Sequence, residues 1–354
     1  MRQINKGITI LIFLIILFFD FFLFVSKKED YSYLENRYLQ EFSIKKIDEY
    51  ISDHFPFRNT LLSIKNKVEL MAGKTYINDV YVGKDNYLIP DFVNNPKSHY
   101  IYEVINEFAK DKQVYVMFVP DSILINEDKL HYHLDNDENA EIDYLYNNLK
   151  YTNNIDLREI LKEKNKGEEM YYKTDHHWTS FGAYYAYTQF MKSKGERYFT
   201  KDQFDIDLVS LDFMGTSSSK VLGLNINDSI YTFNTDDDIE VHYVDDNVFT
   251  DTLYSEEYLD KKDKYSFFLD NNHSEIIIHN KDINNEKKIL VIKNSYGNCF
   301  IPFLVNHYEY VYVIDLRYFV PKVSEYLENN GINESLILYN MNNLYGDMSI
   351  VRLD

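Results

Sequence analysis

Three apolar runs near the carboxyl end limit what this chain can become. Lys288 to Asn294, Tyr308 to Leu316 and Ser335 to Asn340 each have strand length, and all three are rich in apolar residues. Between them lie stretches that read as helix, a short one to about Asn306 and another from Pro321 to Asn329. Near-continuous apolar strands separated by helices predict a parallel sheet buried on both faces. Gln113-Val-Tyr-Val-Met-Phe-Val-Pro120 is an earlier strand of the same kind, closed by Pro120. Helical spacing over Tyr100–Asp111, Ile142–Leu149 and Leu157–Lys164 supplies the covering layers. The pattern predicts the α/β class, a sheet flanked by helices.

Residues Glu196 to Asn285 read differently. They are polar, rich in Asp and Asn, and carry short alternating runs such as Ile239-Glu-Val-His-Tyr-Val244. This predicts a β-rich insertion at about 196–285 within a main domain of 98–354. Before that domain, residues 27–97 form a membrane-proximal region. Ser43–Asp53 and Leu61–Met71 have helical spacing, Pro56 separates them, and Val80 to Pro90 reads as a short hairpin. Gly7 to Val25 is almost wholly apolar and long enough to span a bilayer as a helix. Asp20 interrupts it at a cost of roughly 2.5–3.5 kcal/mol, which the surrounding Leu, Ile, Phe and Val residues together offset. Residues 1–26 are therefore expected to be an uncleaved anchor, with the body outside the cytoplasm. The competing reading is a cleaved signal peptide, for which the run is long and lacks a clean small-x-small site.

A formal net charge of -20 argues against a nucleic-acid partner, which needs clustered Lys and Arg. With a single cysteine, Cys299, no internal disulfide forms.

The chemistry-bearing residues fall in two segments. In Tyr171-Tyr-Lys-Thr-Asp-His-His-Trp-Thr-Ser-Phe-Gly182, Asp175 and His177 precede a helix start capped by Thr179 or Ser180. If extended, residues two apart face one side, so Asp175 could hold the His177 imidazole while His176 points away. Taken alone, such a triplet is more often a satisfied surface or core pair. Ser295 follows an apolar strand and precedes a helix, where α/β proteins build their sites. An ordinary helix cap is its other reading. Asn298 and Gly297 open the helix that follows, and Asn342 sits in the cluster after the last strand, so these are the oxyanion candidates. No His-Glu-x-x-His is present, and neither a metal nor a cofactor is expected.

The Thr174-Asp-His-His-Trp-Thr179 segment resembles the signature of the DHHW protein family, which is similar to the SGNH-hydrolase-like O-acetyltransferases of alginate and other exported polysaccharides. Glu35-Asn-Arg-Tyr-Leu39, Asp53-His-Phe-Pro-Phe-Arg58, Phe213-Met-Gly-Thr216 and Lys293-Asn-Ser-Tyr-Gly-Asn298 also look like family landmarks. The resemblance implies an SGNH-hydrolase-like fold and a triad of Asp175, His177 and Ser295. It further implies a polysaccharide acceptor and a multispanning membrane-bound O-acyltransferase that passes the acetyl group outward. Asn294 stands where the relatives often carry Asp, and Asn340-Met-Asn-Asn343 only approximates a Gly-x-Asn-Asp block. The expected function is a membrane-anchored extracytoplasmic O-acetyltransferase. A carbohydrate acetylesterase with the same triad and a non-catalytic glycan-binding scaffold are the alternatives.

Overall fold

A computed structural model of the chain describes residues 7–8, 10–15, 18, 30–95 and 100–353. The central sheet has eight strands, numbered here in chain order. They are β1 (Gln113–Val119), β2 (Asn153–Asn154), β3 (Ile239–Tyr243), β4 (Val248–Thr250), β5 (Glu275–Asn280), β6 (Lys288–Lys293), β7 (Tyr310–Ile314) and β8 (Glu334–Asn340). Their spatial order is β4-β3-β5-β7-β6-β8-β1-β2. From β7 to β2 every pairing is parallel, whereas β5, β3 and β4 add on antiparallel.

Strand alternation sorts the core into two layers. Met117, Val119, Ile289, Val291, Leu336 and Leu338 face one layer with helix Ser180–Ser193 and the short helix Ile301–Leu304. Their neighbours Val116, Phe118, Leu290, Ile292, Ile337 and Tyr339 face the other. That second layer holds helices Ile101–Ala109, Glu138–Asn148 and Val323–Asn330. Successive strand residues point to opposite faces, so a strand apolar throughout must be covered twice.

The sheet is mixed rather than wholly parallel. The polar segment over 196–285 is not simply set apart, because β3, β4 and β5 extend the central sheet. Asp205–Phe213 and Asp228–Asn234 pair separately, as an antiparallel ribbon. In β3, Ile239, Val241 and Tyr243 are buried while Glu240 is exposed, the alternation of a strand covered on one face.

Helix Ser180–Ser193 starts as expected, with Thr179 Oγ1 accepting the Gly182 N–H at 3.2 Å. Gly195 follows its end in the left-handed region (φ 68°). Of the anchor expected over 7–25, the described residues 7–8, 10–15 and 18 are helical and the remainder lies outside the described residues. Among the described residues, no helix is long and apolar enough to cross a membrane.

Two landmarks ahead of the main domain clasp each other. Arg37 donates to both Asp53 oxygens, at 2.6 and 2.8 Å, the Gln40 N–H joins at 2.8 Å, and Arg58 pairs with Glu35. The hydrogen bonds from Arg37 hold the Asp53 carboxyl down to about 2.

Candidate active site

The carboxyl ends of β6, β8 and β1 lie side by side, and the candidate side chains gather there. β6 ends at Lys293, and the chain turns at once into a short 3-10 helix, Ser295–Gly297. Asn294 caps it, its Oδ1 accepting the Tyr296 N–H at 3.1 Å. Ser295 is therefore presented on a tight turn at the top of a central strand, and remains 9% exposed.

The segment carrying Asp175 and His177 is a turn rather than an extended strand. Tyr171 and Trp178 form an isolated antiparallel bridge, and the chain between them doubles back. Asp175 Oδ1 accepts both the backbone N–H of His177, at 3.0 Å, and its ring Nδ1, at 2.6 Å. His177 Nε2 then lies 2.8 Å from Ser295 Oγ, across 118 residues of sequence. Carboxylate, imidazole and hydroxyl thus stand in one hydrogen-bonded line.

Because the segment turns, His176 does not point away. Its ring centroid lies 3.8 Å from that of His177, and its Nδ1 is 2.8 Å from Thr216 Oγ1. The expectation from an extended backbone is corrected here: the Asp175 carboxylate draws the turn closed around itself.

Residues outside the expected set hold this line. Asp175 Oδ2 accepts from the Thr216 N–H at 2.7 Å and from Thr216 Oγ1 at 2.9 Å. A Cβ on Gly215 would stand 2.3 Å from Asp175 Cβ and Oδ2, so this position must be glycine for the carboxylate to sit where it does. Asp228 accepts the N–H groups of Lys173 and Thr174, at 2.8 and 2.7 Å, and so fixes the start of the turn. The Tyr265 ring stacks on His177 at 3.7 Å and 7°, while its hydroxyl donates to the Ser295 carbonyl at 3.1 Å. Trp178 Nε1 donates to the Tyr296 carbonyl at 2.9 Å, and the Tyr296 hydroxyl returns a bond to the His176 carbonyl. These two reciprocal bonds stitch the distant segments together. The landmark Phe213-Met-Gly-Thr216 pointed toward Thr216, but nothing in the spacing of Tyr265 or Asp228 signals a role.

The electrostatics separate the charged groups. Burial alone would raise the Asp175 carboxyl, but the His176 and His177 imidazoles hold it well below the usual carboxylate range. Burial, reinforced by His176, pushes His177 down to about 4 against the pull of Asp175, so at neutral pH its ring is uncharged. His176 moves upward: burial opposes its charge, and the Asp175 carboxylate outweighs that.

The oxyanion candidates need correcting. Asn342 Nδ2 donates to the Asp91 carbonyl at 3.0 Å and its Oδ1 accepts the Val93 N–H at 3.0 Å, so it pins the 91–93 segment. Asn298 Nδ2 donates to the Asn271 carbonyl at 3.0 Å, and its Oδ1 accepts from Lys293 Nζ at 2.6 Å. The Gly297 and Asn298 N–H groups are engaged too, with the carbonyls of Asn294 and Ser295. Sequence position alone did not reveal these competing acceptors. The Ser295 N–H, by contrast, has no acceptor among the described residues.

Asp175, His176 and His177 offer ligand atoms within 4.8 Å of one another. Each Asp175 oxygen already accepts two hydrogen bonds, one of them from the ring Nδ1 of His177. A cation bound there would displace those bonds, so the donor set does not fit a resident metal.

The fold and these side chains define an α/β protein with a hydroxyl, an imidazole and a carboxylate in series at the carboxyl edge of its sheet. A family model described as "DHHW protein" matches residues 64–314, and the chain belongs to that family. The segment Asp175-His176-His177-Trp178 spells the family's letters. Among solved structures, a DHHW family protein from Eubacterium siraeum is similar, with a TM-score of 0.67 and 21% identity over 78% of this chain and 95% of that one. Bacillus cereus PatB1 with a sulfonyl adduct matches with a TM-score of 0.64 and 23% identity, over 77% of this chain and 99% of that one. The O-acetyltransferase domain of Pseudomonas putida AlgJ is more distant, with a TM-score of 0.46 and 10% identity, over 75% of this chain and 92% of that one. No curated protein matches the chain.

Proposed function

We propose that the protein is a membrane-anchored, extracytoplasmic O-acetyltransferase acting on a cell-surface or exported polysaccharide. The observation that carries this reading is the 2.8 Å approach of His177 Nε2 to Ser295 Oγ, with His177 Nδ1 held 2.6 Å from Asp175. A neutral imidazole between a carboxylate and a hydroxyl is the arrangement that activates serine for acyl transfer.

Ser295 Oγ attacks the carbonyl carbon of an acetyl donor while His177 Nε2 takes the hydroxyl proton. The tetrahedral intermediate collapses, the leaving group departs with that proton, and an acetyl ester on Ser295 remains. A sugar hydroxyl then attacks the ester carbonyl and gives its proton to His177. The bond to Ser295 Oγ breaks and the proton returns to that oxygen. Asp175 orients the ring and stabilises its transient charge. The Ser295 N–H, without an acceptor among the described residues, is the donor for the developing oxyanion. An acetyl donor outside the cytoplasm calls for a membrane-bound acyltransferase partner, and residues 7–25 supply the anchor.

The PatB1 structure with a sulfonyl adduct guides the choice of reagent. Activated hydroxyls displace fluoride from phenylmethylsulfonyl fluoride, so the protein should gain one sulfonyl group, mapped to Ser295 by peptide mass spectrometry. Ser295→Ala should abolish that labelling and reduce acetyl transfer by about 10⁴-fold or more. Labelling elsewhere, or unchanged glycan acetylation in cells carrying Ser295→Ala, would refute the proposal. Acetyl release to water that added glycan does not divert would instead identify an esterase.

A further inference from the structure

Helices Ile47–Asp53 and Arg58–Met71, ahead of the main domain, leave much of their apolar surface uncovered. Helix Ile47–Asp53 buries none of its residues. In helix Arg58–Met71 the one buried residue is polar, Asn66, whose Nδ2 donates to the Leu222 carbonyl at 3.0 Å. Leu62 and Leu70 are half-buried on the same side, Leu70 against the Ile77, Val80 and Leu88 cluster, whereas Ile64, Val68 and Met71 face outward at 53%, 54% and 81% exposure. Residues 33–71 hold more exposed large hydrophobic side chains than all the described residues after them. A soluble surface scatters such residues singly and rarely gathers them.

The stripe has a definite form. At about 100° per residue, Leu61, Ile64, Val68 and Met71 share one face of the helix, and the exposed Lys65 and Lys67 border it on opposite sides. Phe42 and Ile44, earlier in the chain, are exposed apolar residues as well. An apolar face edged by lysines whose stems can lie along the hydrocarbon boundary suits the plane of a bilayer interface. Charge favours the same occupant. Residues 30–74 carry acidic and basic groups in equal number, so the net charge of -20 lies outside them. In sequence, the apolar run ending at Val25 also lies only eight residues before the exposed Tyr33.

We infer that the outward face of helix Arg58–Met71, with the apolar residues just before it, lies in the outer interface of the bilayer. This rests on the reading of residues 7–25 as an anchor. The catalytic domain is then held with helix Arg58–Met71 against the lipid, not tethered freely above it.

The test uses the full chain reconstituted in phosphatidylcholine vesicles, with a polarity-sensitive dye on Ile64→Cys, Val68→Cys or, as a control on the body, Asp246→Cys. Resistance of the vesicle-bound protein to carbonate extraction reports the anchor independently. Lipids carrying a shallow nitroxide should quench positions 64 and 68 several-fold more than position 246. A carbonate-resistant protein with all three positions equally unquenched overturns the inference while leaving the anchor standing. Extraction by carbonate overturns both. Absence of quenching in lipid, together with photo-crosslinking from position 64 to a membrane protein in native membranes, overturns it in favour of a protein partner.

Discussion

Asp175 does more than orient one imidazole. Its two oxygens accept four hydrogen bonds, two from His177 and two from Thr216, and Gly215 is packed so closely that any side chain collides. Gly215→Ala should therefore push the carboxylate away from His177. A misplacement of about 1 Å costs on the order of 10²-fold in rate, and kcat should fall by that much with the circular-dichroism spectrum unchanged. Retention of full activity would show that the close packing has no catalytic consequence. The two histidines make a second prediction. Protonated His177 cannot accept the serine proton, and its pKa is pushed from 6.5 to about 4. The acid limb of kcat/KM should accordingly lie below 6.5 and approach 4. Charge on His176 is part of that depression, so His176→Asn should favour the protonated ring and move the limb to higher pH. A limb at ordinary histidine values that ignores the substitution would remove His176 from this role.

At the scale of elements, a strap of side chains crosses three parallel strand ends beneath the serine turn. Asn294 Nδ2 donates to Asn340 Oδ1 at 2.6 Å, and Asn340 Nδ2 donates to Asp121 Oδ1 at 2.6 Å. The Asn342 N–H completes it, reaching Asp121 Oδ2 at 2.8 Å. This links β6, β8 and the loop after β1, and burial pushes the Asp121 carboxyl up to about 6. Asn294, noted in the sequence as a departure from Asp, is the donor this geometry requires. In Asn294→Asp a carboxylate would face the Asn340 oxygen with no proton between them. The variant should be less stable than the parent by about 1–3 kcal/mol at alkaline pH. Its folded form would take up a proton more readily than its unfolded form, so the deficit should shrink as pH falls from alkaline values toward the ordinary carboxylate pKa of roughly 4. Urea unfolding of both proteins across that range measures it, and a pH-independent difference would discard the strap. The strands and helices were legible because strand and helix periodicities are local. The antiparallel extension by β5, β3 and β4 was not, because short alternating runs do not say which edge they join.

On the scale of the whole molecule, the chain order alone specified an α/β sheet, the candidate residues for the proposed acyl transfer, and membership of the DHHW family. Those depend on periodicity, turn chemistry and short motifs, which are written within a few residues of one another. Folding decided which groups are engaged and which remain available. It turned His176 toward His177, brought Tyr265 and Thr216 to the imidazole and carboxylate, and committed Asn298 and Asn342 to backbone groups elsewhere. It also left Ile64 and Val68 outside while burying Asn66. A hydrogen bond spans about 3 Å whatever the separation in sequence. The approach of Ser295 to His177 across 118 residues therefore depends on how β6 and the Tyr171–Trp178 turn pack together.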